Sequence, residues 1–459
     1  MDDMTSSSTI ELPRLHEGVH GQVITPGDAS YARARTIFWG GFDRRPAAIV
    51  RPADAAQVAR VVELARDQGL ELAVRGGGHS IAGHSLSDGG IVLDLSELTG
   101  IDVDPRGRTA WAQTGLTAGA YTAAVGAHGL ATGFGDTASV GIGGITLGGG
   151  VGYLVRKHGL SIDNLLAAEL VTADGRVRQV DAETHPDLLW AVRGGGGNFG
   201  VATRLRFRLH DLPSIVGGML LLPATAQVIA DFVAAAEAAP EELSTIANVM
   251  QAPPLPFIPA DRHGQPVVMA RLCYAGAAEA GERAVAPFRS LAEPIADLLR
   301  PMPYSAMFPT EAEELHPTAV AHTMFVDTVD RTAADTILEH LQASDGPMRA
   351  VELRVLGGAM ARVPVEATAF AHRHRRIMAN VTAFYDGPAD RDRRQAWVDG
   401  LAAALRQGDD GAYVNFLGDE GSERVRQAYP GPTWDRLVQV KRRWDPGNLF
   451  RLNHNIPPA

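Results

Sequence analysis

The sequence predicts a two-part α+β protein, and three observations carry that prediction. The chain has 459 residues, which is long for a single hydrophobic core, so two domains are expected. Residues near 47 to 95 alternate strand, helix, strand, glycine loop and strand, a pattern of connected α and β layers. After "HDLPS", near residue 211, the character changes to an alanine-rich helix, a proline-rich segment and new strands. We place one domain at 1–210 and a second at 211–411, with a distinct segment at 412–459.

The elements follow from local chemistry. "AAIV" is a short apolar strand. In "ADAAQVARVVELARDQG" Asp54 stands where a helix is capped and Gly69 just past its end. Val58, Val61, Val62 and Ala65 keep helical spacing on one face. "LELAVR" is a strand that runs into Gly76, and "GIVLDLS" is the next. "RTAWAQTG" reads as a strand and "TAGAYTAAVGAHG" as a helix. "LAAELVTADGRVRQV" reads as a hairpin turning at Asp174-Gly175. "VATRLRFRL" alternates, with Val201, Thr203, Leu205, Phe207 and Leu209 on one face and Arg204, Arg206 and Arg208 on the other. In the second part "TAQVIADFVAAAEAAP" is a helix, and "VVMARLCYAG" and "VELRVLGG" are strands.

Composition removes several function classes. Apolar residues make up 45% and charged residues 21%, as in soluble globular proteins. The net charge of -11 argues against a nucleic-acid partner, whose phosphates need a basic surface. Cys273 is the only cysteine, so no disulfide within the chain and no thiolate cluster is expected. The start, "MDDMTSSSTIELPRL", lacks the basic and apolar regions of a signal peptide. No charge-free stretch of membrane-spanning length is present. We expect a cytoplasmic protein with no membrane partner.

The 50 glycines cluster in "RGGGHS", "GIGGITLGGGVGYL" and "RGGGGNFG". The first opens "VRGGGHSIAGHS", for which three uses compete: a loop lying against phosphates, a metal site, or a histidine bonded to a cofactor. The metal reading is weak, because His79 and His84 lack an HExxH pattern or a neighbouring cysteine. "GGGNFG" matches GxGxxG, but a strand and not a helix follows it, so a nicotinamide site is rejected. The run from Gly141 to Gly152 leaves backbone bare, either to ring a pyrophosphate or to let two backbones pack closely.

Four motifs, "RGGGHSIAGHS", "GGITLGGGVGYLVRKHGLSIDN", "DLLWAVRGGGGNFGVAT" and "VKRRWDPGNLFRLNHNIPP", resemble in order and spacing the FAD-linked oxidases of the vanillyl-alcohol oxidase and p-cresol methylhydroxylase (PCMH) superfamily. The branch is that of the berberine bridge enzymes, in its bacterial cytoplasmic form. The resemblance runs from about Gly21 to Pro458. It implies a two-part FAD-binding domain of PCMH type and a substrate domain with an antiparallel sheet backed by helices. The segment from Ala412 would return to the FAD domain. The implied activity is an oxidase that passes hydride from a small or medium alcohol, phenol or amine to FAD, with O2 as the second substrate. A flavin-containing binding or resistance protein and a flavin-dependent oxygenase are the alternatives.

The resemblance also implies residue roles. His79 would bond covalently to FAD, with Arg75, Gly76, Gly77, Gly78, Ser80, Gly83 and His84 as cofactor contacts around it. Relatives with a second link use a cysteine where this chain has Thr137; a hydroxyl cannot replace that thiolate, so a single link is expected. Gly135, Asp136, Val140, Gly141, Gly143, Gly144, Leu147, Gly148, Gly150 and Gly152 belong to the same implied contact set, and so do Asn198, Gly200 and Val201. Val140 falls at the family's oxygen-access position, though a valine there also suits plain core packing. Tyr413 and Asn415 match a Y-x-N element, with Tyr413 as base or substrate anchor. Residues two apart on a strand share a face. A base would need a phenol pKa below its usual value near 10. Glu352 is the second catalytic candidate, weighed evenly against a surface ion pair with Arg354. The acid of plant relatives does not transfer, because Arg362 holds that place. Asn453 and Asn455 are further cofactor contacts, separated by His454 where the family often has glutamine.

Overall fold

A computed structural model describes residues 20–309, 316–408 and 411–458. The amino-terminal stretch read as lacking a signal peptide lies outside the described residues. Among them, no helix is long and apolar enough to cross a membrane.

The first sheet has four strands in the order Gln22–Ile24, Ala48–Arg51, Ile91–Asp94 and Leu72–Arg75. The last three are parallel, because helix Ala55–Asp67 carries the chain back between two of them. Asp54 caps that helix by accepting from the Gln57 amide. The helix buries Val58, Val61, Val62 and Ala65. Leu72–Arg75 then delivers the chain into the glycine loop that ends at His79.

The second sheet is antiparallel, in the order Ile101–Asp104, Thr109–Gln113, Val201–Arg208, Leu165–Val171 and Val177–Val180. Strand Val201–Arg208 buries Val201, Thr203, Leu205 and Phe207, while Arg204 and Arg206 are half-buried and Arg208 is exposed. The arginine row stays hydrated while the apolar row packs.

The third large sheet has eight antiparallel strands. Ile215–Pro223, Pro266–Tyr274, Leu243–Gln251, Arg349–Val355, Ile377–Phe384 and Ala319–Val326 run across it in that order. Helices Ala226–Ala238, Ala278–Arg289, Arg331–Ala343 and Pro388–Leu405 bury Phe232, Phe288, Ile337 and Val398 against one face. Val351, Leu353 and Val355 point to that core. With a two-residue period, Glu352 and Arg354 must point the other way, towards the glycine-rich half. Residues Leu417, Leu437 and Ile456 share one core with Tyr121 and Phe134 of the glycine-rich half.

Two local expectations are corrected. Val414–Phe416 is a 3-10 turn and not a strand, so Tyr413 and Asn415 converge through a tight turn. The glycine run is not one open loop either: Ile142–Leu147 is a short helix. Beyond it, close packing governs. A Cβ on Gly152 would lie 1.4 Å from the Phe134 carbonyl oxygen, and backbone cannot yield as a side chain can. A Cβ on Gly144 would meet nothing within 4 Å. Gly152→Ala is therefore expected to destabilise the fold by about 3 kcal/mol, the upper end of the usual overpacking cost, whereas Gly144→Ala folds normally and protrudes into the cavity described next. Soluble yield and thermal melting of both variants check this; equal melting of Gly152→Ala and the parent would contradict it.

Candidate active site

A cavity of about 520 Å³ runs between the two halves. One end is walled by Leu72, Val74, Leu95 and Phe450, the other by Ala321, Glu352, Asn380 and Thr382 of the eight-stranded sheet. It therefore spans from the first sheet to the eight-stranded sheet, a usual position for a pocket between layers. Gly76, Gly77, Gly78, Gly141, Gly143 and Gly144 form a bare stretch of its wall. Gly77 and Gly141 touch back to back, since a Cβ on either would lie 2.3 Å from the other's amide nitrogen. Gly78 adopts φ +72, a region open to glycine at little strain.

His79 stands at this junction. Phe38 stacks on its ring with centroids 4.2 Å apart, and the Trp39 indole donates to its carbonyl oxygen at 3.2 Å. The Ser139 hydroxyl lies 2.9 Å from its Nε2. His84 and His454 meet edge to face at 4.9 Å in the same wall. Burial pushes His84 down to about 4, with Arg44 adding to the effect. Burial, with His84 beside it, takes His454 to about 3. Both are neutral at pH 7, so neither adds charge to the wall.

The opposite wall holds a buried charge network. Arg354 donates to Glu352 at 2.7 Å, to Asp136 at 2.8 Å and to the Val151 carbonyl at 3.1 Å, and it stacks over Phe416. Its side chain is 4% exposed and that of Glu352 16%. The surface ion-pair alternative for Glu352 is thus corrected: the pair sits in the cavity wall. Burial raises the Glu352 carboxyl above its usual range despite the pull of Arg354. Burial pulls the Arg354 guanidinium down, but Asp136 and Glu352 together hold it above its ordinary value. Asp136 lines the cavity as expected, but its carboxylate is engaged by Arg354.

The Tyr413 hydroxyl accepts from the amides of Gly150 and Val151 at 2.9 and 3.2 Å and from Asn415 at 2.9 Å. Asn415 also donates to the Ile145 carbonyl. Burial raises the Tyr413 phenol above its usual value, although those donors oppose it. The expected lowering for a tyrosine base is not seen; the ring pins the glycine turn to the carboxy-terminal segment.

His79, Ser80, His84, Gly135, Asp136, Thr137, Val140, Leu147, Asn198, Gly200, Val201, Asn415 and Asn453 all line the cavity with the glycines named above. Six candidates do not. Arg75 is buried on Asp94 at 2.7 Å, and a Cβ on Gly83 would press on the Phe42 ring. Gly148, Gly150 and Gly152 pack on Asn415, Ser161 and Phe134. Asn455 lies just past the lining. These support the wall from behind, because side-chain removal serves packing as well as ligand access. Arg362 is exposed and pairs with Glu241, so it supplies no acid.

Sequence reasoning missed Phe38 and Trp39 in "TIFWGG", where only the aromatic pair was a signal. It also missed Asn380, Thr382, Ser139 and the buried Lys441–Asp445 pair.

The residues present fit FAD. The cavity is long, one wall offers bare backbone, and the Oδ1 atom of Asn453 is buried there without a partner. Comparison with known proteins decides the family. Residues 46–181 match the model of an FAD binding domain and 412–457 that of berberine and berberine-like proteins. The (R)-6-hydroxynicotine oxidase of Paenarthrobacter nicotinovorans is 31% identical over 96% of this chain and 97% of its own. This chain belongs to the berberine-bridge-like family of FAD-linked oxidoreductases. As a member it is an FAD-dependent oxidoreductase of the oxidase kind. An FAD-linked oxidoreductase of Bacillus subtilis is also 31% identical, over 96% of this chain and 98% of its own. The crystal structure of 6-hydroxy-D-nicotine oxidase from Arthrobacter nicotinovorans superimposes with a TM-score of 0.86 at 29% identity, covering 96% of this chain and 98% of that one.

Proposed function

We propose that the protein oxidises a small or medium organic alcohol, phenol or amine, with FAD held by one covalent bond to His79 and O2 reduced to H2O2. The observation that carries the reading is the placement of a half-buried carboxylate, Glu352, across one continuous cavity from His79. The nicotine-type substrates named for two relatives favour an amine or hydroxyl-bearing ring. FAD, when bound, supplies the hydride acceptor. The chain's own residues do the rest. Glu352 takes the proton from the substrate hydroxyl or amine, and Arg354 fixes the carboxylate in place. Tyr413 and Asn415 hold the Gly150–Val151 turn. Phe38, Trp39 and Ser139 hold His79. Thr137 offers no thiolate, which limits the attachment to one bond. We place the protein in the cytoplasm, where the buried thiol of Cys273 stays reduced.

The test is a substrate screen that follows loss of flavin absorbance without air and H2O2 on readmission of O2, with Glu352→Gln alongside. Because burial raises Glu352, the base form accumulates as pH rises, so turnover should climb through a pH range above that of ordinary carboxylates. The Gln variant should lose that limb and roughly 10²-fold or more in turnover. Tight ligand binding without reduction would instead make this a binding protein, and labelled oxygen in the product would make it an oxygenase.

A further inference from the structure

A second cavity, of about 550 Å³, opens on the same face of the eight-stranded sheet as the first, and the two share no lining residue. Strand register shows how they relate. Met219, Arg271, Ile246 and Arg354 stand directly opposite one another on four neighbouring strands, so their side chains share a face. Arg354 belongs to the first cavity, Met219 and Arg271 to the second. Ile246, 3% exposed, separates them. Arg271 thus stands two strand spacings, roughly 10 Å, from Arg354. The lining joins apolar surface to positive charge. Met219, Leu298, Leu299, Met302 and Met307 supply the apolar part. Leu298 is 44% exposed there, and the three methionines give a wall that adapts to varied apolar shapes. Arg271 and Arg300 supply the charge. Arg271 is half-buried and Arg300 exposed, so one cation lies deep and the other at the rim. Asp297, a carboxylate of the same lining, is taken by Arg289 at 2.6 Å. The Arg271 guanidinium makes one long hydrogen bond, to the Tyr153 hydroxyl at 3.4 Å. Among the described residues no carboxylate comes within ion-pair distance of Arg271 or Arg300. Asp136 and Glu352 act on Arg271 only from beyond that distance, and Arg354 already engages both.

We propose that this second cavity binds a small organic carboxylate, whose charged end is held by Arg271 and Arg300 and whose apolar body fills the methionine and leucine wall. A guanidinium is charged at every working pH, and keeping one half-buried without a carboxylate is costly. A planar carboxylate fits the guanidinium fork and forms the strong, charge-assisted kind of hydrogen bond. A bare inorganic anion would leave the apolar wall unfilled. The site does not depend on the reaction assigned to the first cavity. An anion beside Arg271 does face the charges of Glu352 and Asp136 along the same side of the sheet, so a neutral residue at position 352 favours its binding.

The experiment titrates the FAD-loaded holoprotein with 4-phenylbutyrate by calorimetry, with 4-phenylbutyramide as the neutral match. Saturable binding at one site is expected, with the amide weaker by roughly tenfold or more. Equal affinity for acid and amide overturns the proposal, and so does the absence of saturable binding of the acid below roughly 10 mM. Arg271→Met and Arg300→Met should each weaken the acid by roughly tenfold. Ala306→Trp, at an exposed position of the lining, should abolish binding by filling the cavity. Wild-type affinity in any of these three variants rejects the assignment. Glu352→Gln fixes the location. It should bind the acid at least as tightly as the wild type; loss of binding in it places the acid in the first cavity and overturns the proposal. If Arg271→Met is insoluble, Arg300→Met and Ala306→Trp decide: weakening in both supports the site, and wild-type affinity in either rejects it.

Discussion

Arg354→Met is expected to lower the melting temperature, because two half-buried carboxylates lose their shared cation, and to cut turnover at neutral pH. Arg354 is the cation between Glu352 and Asp136, at 2.7 and 2.8 Å. Without it the two carboxylates face each other and Val151 loses the donor on its carbonyl. Burial already raises Glu352. Losing this charge raises it further, with Arg271 left as the remaining cation nearby, because a carboxylate beside another favours its neutral form. The base form then builds up only at higher pH, so the activity that remains should shift to higher pH. Arg354→Lys keeps the charge but not the three-way fork, and should fall between the two. Thermal melting and a pH profile of kcat check this. An unchanged acid limb would remove Arg354 from the account of the base.

Lys441→Met should have an effect of similar size on stability by a different route. Lys441 and Asp445 are both 0% exposed and 2.7 Å apart. Lys441 also donates to the carbonyls of Asn198 and Phe450, and Asp445 accepts from the amides of Leu449 and Phe450. The pair thus ties together two segments of cavity wall, one at Asn198 and the other at Asn453–His454. Removing the cation leaves a buried carboxylate, at about 3–5 kcal/mol, and loosens both segments. A lower melting temperature is expected, together with faster flavin exposure to a solvent quencher. The double variant Lys441→Met/Asp445→Leu should recover part of the loss, since an apolar pair removes the stranded charge. A single variant that melts with the parent would show the pair to be dispensable.

Much of this architecture was legible in the residues. Helix Ala55–Asp67 announced itself by its cap, its apolar spacing and the glycine after it. Strand Val201–Arg208 did so by strict alternation. Those are local signals, set by propensity and by which side chains tolerate water. The four glycine and asparagine motifs, taken in order, were enough to suggest the family. Tyr413 lines the cavity, but whether it serves as base or anchor was not legible, because its environment is contributed by Gly150 and Val151, more than 260 residues away. Glu352 was left between surface and site, because the period of a strand shows which residues share a face but not which face is buried.

By itself the sequence determined most of the regular elements, helix Ala55–Asp67 and strand Val201–Arg208 among them, and the glycine positions open to close approach. The tertiary structure alone decided which glycines line the cavity and which, like Gly152 against Phe134, admit a neighbouring backbone. It also decided that Arg354 bridges the two halves through Asp136, that Phe38 and Ser139 contact His79, and that burial raises the Tyr413 phenol. The physical reason is common to all of these. Conformation and hydration preferences act over a few residues, whereas desolvation, ion pairing and steric exclusion depend on atoms brought together from distant parts of the chain.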